Sequence, residues 1–170
     1  MRQTILLLAT LATACGAGGF DSGVQGDKPV STVTDAEARQ FCEALESWYF
    51  ALAPVAYQQR ERCELTALGT TANPAACEAS VNACLQNPPA ISDFDCTTST
   101  ALPGCNATVD EVEACAAADA NALKARADEA SCAAAGNLPE LQRLAMAVPV
   151  PAECSRLASY CPVYGDGFFR

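Results

Sequence analysis

The chain has 170 residues, with 10 Lys and Arg against 20 Asp and Glu, a formal net charge of −10, 11 cysteines and no histidine. That length suits one domain, and a surface this acidic repels nucleic acid rather than binding it. Without imidazole, Ser-His-Asp and Cys-His catalysis and His-based metal sites are unavailable.

Residues 1–14 read as a cleavable signal peptide: Arg2 and the amino terminus, an apolar run from Ile5 to Ala12, then small residues. The run is far shorter than the ~20 apolar residues that cross a bilayer, so it is a leader rather than a span. Ala12-Thr13-Ala14 stands directly before Cys15, with Gly16 after it. This junction resembles the lipobox of bacterial lipoproteins. The resemblance implies that the Cys15 thiol receives a diacylglyceryl group, that the leader is cut before it, and that the new amine takes a further acyl chain of the palmitate class. Ala12 stands where that family favours Leu, and Ala-x-Ala is also the ordinary secretory pattern, so a freely secreted or periplasmic protein is the alternative. Cleavage removes Arg2 and leaves a net charge of −11.

Residues 15–33 carry the acylated cysteine and then a glycine-rich stretch without a periodic apolar pattern, which predicts a flexible tether. The domain proper is expected over residues 34–170. Thr34 followed by Glu37 predicts a capping box, and Phe41, Leu45, Trp48 and Leu52 recur at helical spacing behind it. Pro54 predicts a break before a second helix over about Val55 to Leu68, with Gly69 as its stop. Asn73-Pro74 predicts a third helix, through Cys77, Val81 and Cys84 to Leu85. Residues 86–107 show no period and need a staple. Thr108 with Glu111 predicts another capping box and the longest helix, running to about Cys132 with Gly136 as its C-terminal cap. Short helices are expected at Pro139–Ala145 and about Pro151–Cys161, and no alternating strand is evident. The fold class is therefore all-α, an irregular bundle of about four to six helices cross-linked by disulfides.

The cross-links follow from composition. Only 28 of the 156 residues after Ala14 are Leu, Ile, Val or Phe, a share below the ~20% at which a highly charged chain struggles to fold. Cys42, Cys63, Cys77, Cys84, Cys96, Cys105, Cys115, Cys132, Cys154 and Cys161 include no CxxC pair, so disulfides in an oxidising compartment explain them better than zinc. With Cys15 acylated, ten thiols remain and all pair. Cys77 and Cys84, like Cys154 and Cys161, lie seven apart on expected helices. Their alpha carbons are then ~10.5 Å apart, beyond the ~7 Å that a bridge tolerates, so each cysteine must reach outward. About 945 full pairings remain open.

Candidate chemistry is thin. Asp110, Glu111 and Glu113 open a helix and read as cap and dipole complement. Asp93-Phe94-Asp95 lacks the ligand series of a calcium loop and reads as solvated charge. Trp48 reads as core. The aromatic tail, Tyr160, Tyr164, Phe168 and Phe169, reads as a segment folded over a thin core. Asn106-Ala107-Thr108 fits a glycosylation sequon, but Thr108 is already spoken for as a cap.

Leader, tether and scattered-cysteine helical domain together resemble an uncharacterised group of cysteine-rich lipoproteins of Gram-negative bacteria, a likeness of architecture that brings no activity with it. The expected function is a non-enzymatic lipoprotein of the bacterial cell envelope, lipid-anchored to the outer membrane and carrying a helical binding or structural module. Its partners would be the lipid membrane, through acylated Cys15, and a protein or small molecule, with no nucleic acid, cofactor or metal. The alternative is a carrier with an apolar pocket lined by Phe41, Trp48 and Leu52 for a small hydrophobe.

Overall fold

The computed structural model describes residues 19–98, 105–161 and 169. Among the described residues six helices succeed one another: α1 (Asp35–Leu52), α2 (Val55–Thr70), α3 (Pro74–Cys84), α4 (Val109–Glu129), α5 (Leu138–Ala145) and α6 (Ala152–Leu157). Short 3-10 turns occupy Val30–Thr32, Cys96–Thr98 and Cys132–Ala134. Among the described residues the only β-type pairing is an isolated antiparallel bridge, Pro29 to Thr108. The architecture is the disulfide-linked all-α bundle that the sequence predicts.

The helix starts form for the reasons read in the sequence. Thr34 Oγ1 accepts the Glu37 N–H at 3.3 Å, and the Glu37 carboxylate accepts the Thr34 N–H at 2.8 Å. Thr108 and Glu111 repeat the exchange at 3.4 and 2.9 Å. Each box satisfies backbone donors that the first helical turn leaves without partners. Asn73 Oδ1 accepts from Ala76 N–H at 2.9 Å, with Pro74 in the first turn of α3. Pro54 separates α1 from α2.

Four expectations differ from the structure. Helix α2 runs through Gly69 to Thr70, because Thr71 closes it instead: both its N–H and its hydroxyl donate to the Ala67 carbonyl, at 3.0 and 2.7 Å. Helix α4 stops at Glu129 rather than Cys132, whose side chain is committed to a bridge with α3. Gly136 lies in the turn before α5 and does not cap α4. Its φ is +80°, and a Cβ there would collide with the backbone oxygen of Ala72.

The largest difference lies in the expected tether. Residues 19–33 are not a free linker where the structure describes them but a strap laid across the bundle. Phe20, Ser22, Val24, Val30 and Val33 are buried while Gly19, Asp21, Gly23 and Gln25 are exposed. The alternation is that of an extended segment with one face turned inward. Gly26 O and Lys28 O accept from Asp110 N–H and Val109 N–H at 2.8 and 3.0 Å, and Val30 N–H donates to Ala107 O at 2.8 Å.

Helix α4 contributes to two of the three parts of the core, and the segment just past its end to the third. Near its start, Val109, Val112 and Cys115 pack with Val24, Val30, Val33 and α6. Next, Ala116 and Ala117 meet Phe20 and Leu45. Beyond its end, Ala130 and Cys132 join Cys63, Ala67, Cys77 and Val81 of α2 and α3. Of the eight largest fully buried side chains among the described residues, five are half-cystines, which stand where a richer sequence would place Leu or Phe.

The bridges are Cys42–Cys96, Cys63–Cys84, Cys77–Cys132, Cys105–Cys161 and Cys115–Cys154, with Cα–Cα separations of 4.7 to 5.8 Å. Neither seven-residue pair closes on itself. Cys77 and Cys84 tie α3 to the turn after α4 and to α2, while Cys154 and Cys161 tie the C-terminal segment to α4 and to the residues before it. Four bridges form two nests, Cys63–Cys84 within Cys42–Cys96 and Cys115–Cys154 within Cys105–Cys161. Cys77–Cys132 alone joins the two nests.

Candidate functional site

The residue types that carry chemistry in this chain are sulfur, carboxylate and aromatic. All ten cysteines expected to form bridges do so, and bridges persist in an oxidising, extracytoplasmic compartment. The signal peptide of residues 1–14 and Cys15 itself lie outside the described residues. No helix among the described residues is long and apolar enough to cross a membrane.

The carboxylates at the head of α4 divide in function. Glu111 closes the cap and accepts the Tyr160 hydroxyl at 2.8 Å. The Thr108 N–H, and then that hydroxyl, hold its carboxyl below the usual range. Asp110 lies against Gly26, where a Cβ would overlap its carboxylate. Glu113 departs from the expected cap role. It is buried under the strap, its Oε1 accepts Ser22 N–H at 2.7 Å, and burial pushes its carboxyl up against the opposing pull of that bond. Sequence reading missed it by grouping it with its exposed neighbours. Its helical position, four residues past Val109 and four before Ala117, was the available signal.

Asp119 was also missed. Its residue is fully buried on α4, and its Oδ2 accepts the Phe169 N–H at 3.1 Å. The spacing of four from Cys115 places both on one face, which turns inward. In the Asp93-Phe94-Asp95 loop, Asp95 Oδ1 accepts from Thr97 N–H and Oγ1–H at 3.2 and 2.6 Å, and Phe94 N–H donates to Glu46 at 2.8 Å. Among the described residues no three His, Cys, Asp or Glu side chains group as a metal-ion site.

Aromatic residues of other segments meet α1 in two groups, one around Phe20 and one around Phe94 and Phe169. The Phe20 ring stands 5.2 Å from Phe41 and 5.5 Å from Trp48, across the face where a pocket lined by Phe41, Trp48 and Leu52 was the alternative. Phe169 stacks on Tyr49 at 4.8 Å and meets Phe94 at 6.2 Å, so this tail residue folds back over the domain. Tyr164 and Phe168 lie outside the described residues.

Two exposed latches tie helices to α4. The Tyr57 hydroxyl of α2 donates to Asp128 at 2.8 Å. Lys124 also reaches Asp128, at 2.7 Å, and lies 4.7 Å over the Tyr57 ring. Burial and the Asp128 carboxylate push the Tyr57 hydroxyl up, whereas Lys124 and Tyr57 draw Asp128 down. Arg143 of α5 pairs with Glu129 and Glu140, each at 2.6 Å. Pairs this exposed position helices more than they stabilise them.

Recesses open to solvent lie among the described residues. One, of about 150 Å³, lies between α4 and α6 beside Glu111, Arg156 and Tyr160. Another, a groove of about 500 Å³, runs between α2 and α3 along Arg62, Leu65, Thr66 and Asn87. In the first, the carboxylate is already engaged in the cap and the tyrosine contact. The second offers one guanidinium, and its Nη1 donates to Ala90 O at 3.3 Å.

No family model matches the chain, and no curated protein or solved structure is similar to it.

Proposed function

We propose that the chain is an exported lipoprotein, acylated on Cys15, that holds a non-enzymatic helical module on the bacterial cell envelope, at the outer membrane. What supports this reading is the arithmetic of sulfur. Ten of the eleven cysteines pair with one another, each sulfur forms one bridge, and no cysteine of the chain is left for Cys15. An unmodified thiol in an oxidising compartment is a liability. Acylation at the residue that follows Ala12-Thr13-Ala14 removes it. Two or three acyl chains, at about 0.8 kcal/mol per buried methylene, anchor a protein stably where one does not.

A binding or structural role suits what the side chains are doing. The carboxylates at the head of α4 are spent on caps and on the strap, and the apolar face of α1 is covered by aromatic rings from other segments. The bundle is a rigid platform whose exposed surface is the part left to meet a partner.

Intact mass of the protein from its native host tests the reading. The expected result is a chain beginning at Cys15, heavier by a diacylglyceryl and an acyl group, with no thiol alkylated before reduction and ten after it. Cys15→Ser is expected to release the protein from the membrane fraction. A mature chain that begins elsewhere, or carries no lipid, overturns the proposal.

A further inference from the structure

We propose that the acylated protein carries its domain directly on the bilayer, with the α1–α4 seam around Phe20 as the near side and no free tether between lipid and fold. This rests on the acylation of Cys15 proposed above and adds the docking of the strap.

The chain is pinned almost as soon as it leaves the cysteine. Phe20 is 6% exposed, its ring wedged against Phe41 and Trp48. Two residues on, Ser22 N–H is held by Glu113, and the Gln40 amide donates to Ser22 O at 3.2 Å. Five peptide units join Cys15 to Phe20, so their alpha carbons are at most about 18 Å apart however the intervening residues run. Acyl chains draw Cys15 to the interface, and the headgroup layer on one side is itself about 5 to 8 Å deep. The clearance left is about 10 Å. A folded domain of this size has a radius of gyration of about 15 Å, so it cannot turn freely above the surface. A free linker to residue 33 would instead have a typical reach of about 23 Å and would allow turning.

The opposite end follows from α4. Ala116 and Ala117 pack on Phe20, whereas Ala130, just past the helix, belongs to the core of α2 and α3, about 20 Å farther along the axis. Helix α5, with Leu138 63% exposed, is at that far end. The partner surface that fits is zwitterionic lipid. A chain of net charge −10, or −11 without Arg2, is pushed away by anionic headgroups within a Debye length of about 10 Å.

The test uses full-length protein from the host membrane, reconstituted into phosphatidylcholine vesicles that contain an acceptor-labelled lipid, with a donor dye on an azide-bearing residue at Asp21 or at Leu138. Transfer is expected to be stronger from Asp21 than from Leu138. Inserting about twenty Gly and Ser residues between Ala17 and Gly18 adds a reach of about 25 Å and is expected to cut transfer from Asp21 by about half, with the melting temperature unchanged. If the mass shows acyl chains and the insertion leaves transfer unchanged, the domain was never held down, although acylation stands. Equal transfer from the two positions overturns the assignment of the near side. A mass without acyl chains removes the lipoprotein reading and this one together.

Discussion

Ser22 and Glu113, 91 positions apart, are joined by a 2.7 Å hydrogen bond in which the strap's backbone N–H donates to a buried carboxylate of α4. The contact makes residues 19–33 part of the domain, and it has two separable components, a hydrogen bond and a buried charge.

Glu113→Ala leaves the Ser22 N–H without its partner and is expected to cost about 1 to 3 kcal/mol. Glu113→Gln keeps the acceptor oxygen and removes the charge. Because burial raises this carboxyl above its ordinary value, the folded state holds the proton more tightly than the unfolded one, and stability falls as pH rises through the raised value. Urea melts between pH 4 and 8 are expected to show that decline in the wild type and a shallower one in Glu113→Gln. A steeper decline in the variant would contradict the assignment.

Glu37 carries the opposite sign. Hydrogen bonds from Lys28 and from the Thr34 N–H hold its carboxyl down at about 2, so its contribution is present above the ordinary value of 4.5 and is lost as pH falls through about 2. Carboxyl NMR titration should place Glu37 there, and Lys28→Met should move it upward. Thr34→Ala is expected to destabilise the protein by about 1 kcal/mol by removing the cap at the start of α1.

Two glycines should respond in opposite directions. At Gly136, φ is +80° and the Ala72 carbonyl occupies the place of a Cβ, so Gly136→Ala is expected to cost more than about 1 kcal/mol. Gly69 lies within α2 with open space around it, and Gly69→Ala is expected to stabilise by about 0.5 to 1 kcal/mol. Thermal melts of the two variants decide both signs.

The single link between the two disulfide nests is also testable. With a site for a specific protease inserted between Thr100 and Ala101, the cut wild-type chain should run as one species on a denaturing gel without reductant. The same cut in Cys77→Ala/Cys132→Ala should release two fragments. Release from the wild type would refute the connectivity.

The helices were legible because their signals are local. Thr34-Glu37, Asn73-Pro74 and Thr108-Glu111 specify helix starts through atoms within one turn, and each formed there. The strap was read as a tether because its glycines and lack of a helical period dominated the composition. The alternation of Phe20, Ser22 and Val24 was the overlooked signal, weak because a serine fills one of its three inward positions. Glu113 and Asp119 were missed for a related reason: an acid on an Ala-rich helix looks solvated until the segment that covers it is known, and both are covered by chain distant in sequence. Bridge partners were beyond reach of any local rule, although helical spacing correctly ruled out closure within α3; Cys154 and Cys161 also take other partners, but α6 ends at Leu157, so helical spacing is not the reason for that pair.

Every one of the five native bonds skips at least one intervening cysteine, and Cys77–Cys132 skips four. During secretion the thiols emerge in numerical order, so an oxidant that coupled each newcomer to its nearest predecessor would make none of the correct bonds. Maturation then depends on reshuffling, in which a thiolate arriving later displaces one partner of an earlier bond. A host whose export compartment can oxidise but not isomerise should accumulate this protein as scrambled isomers of unchanged mass.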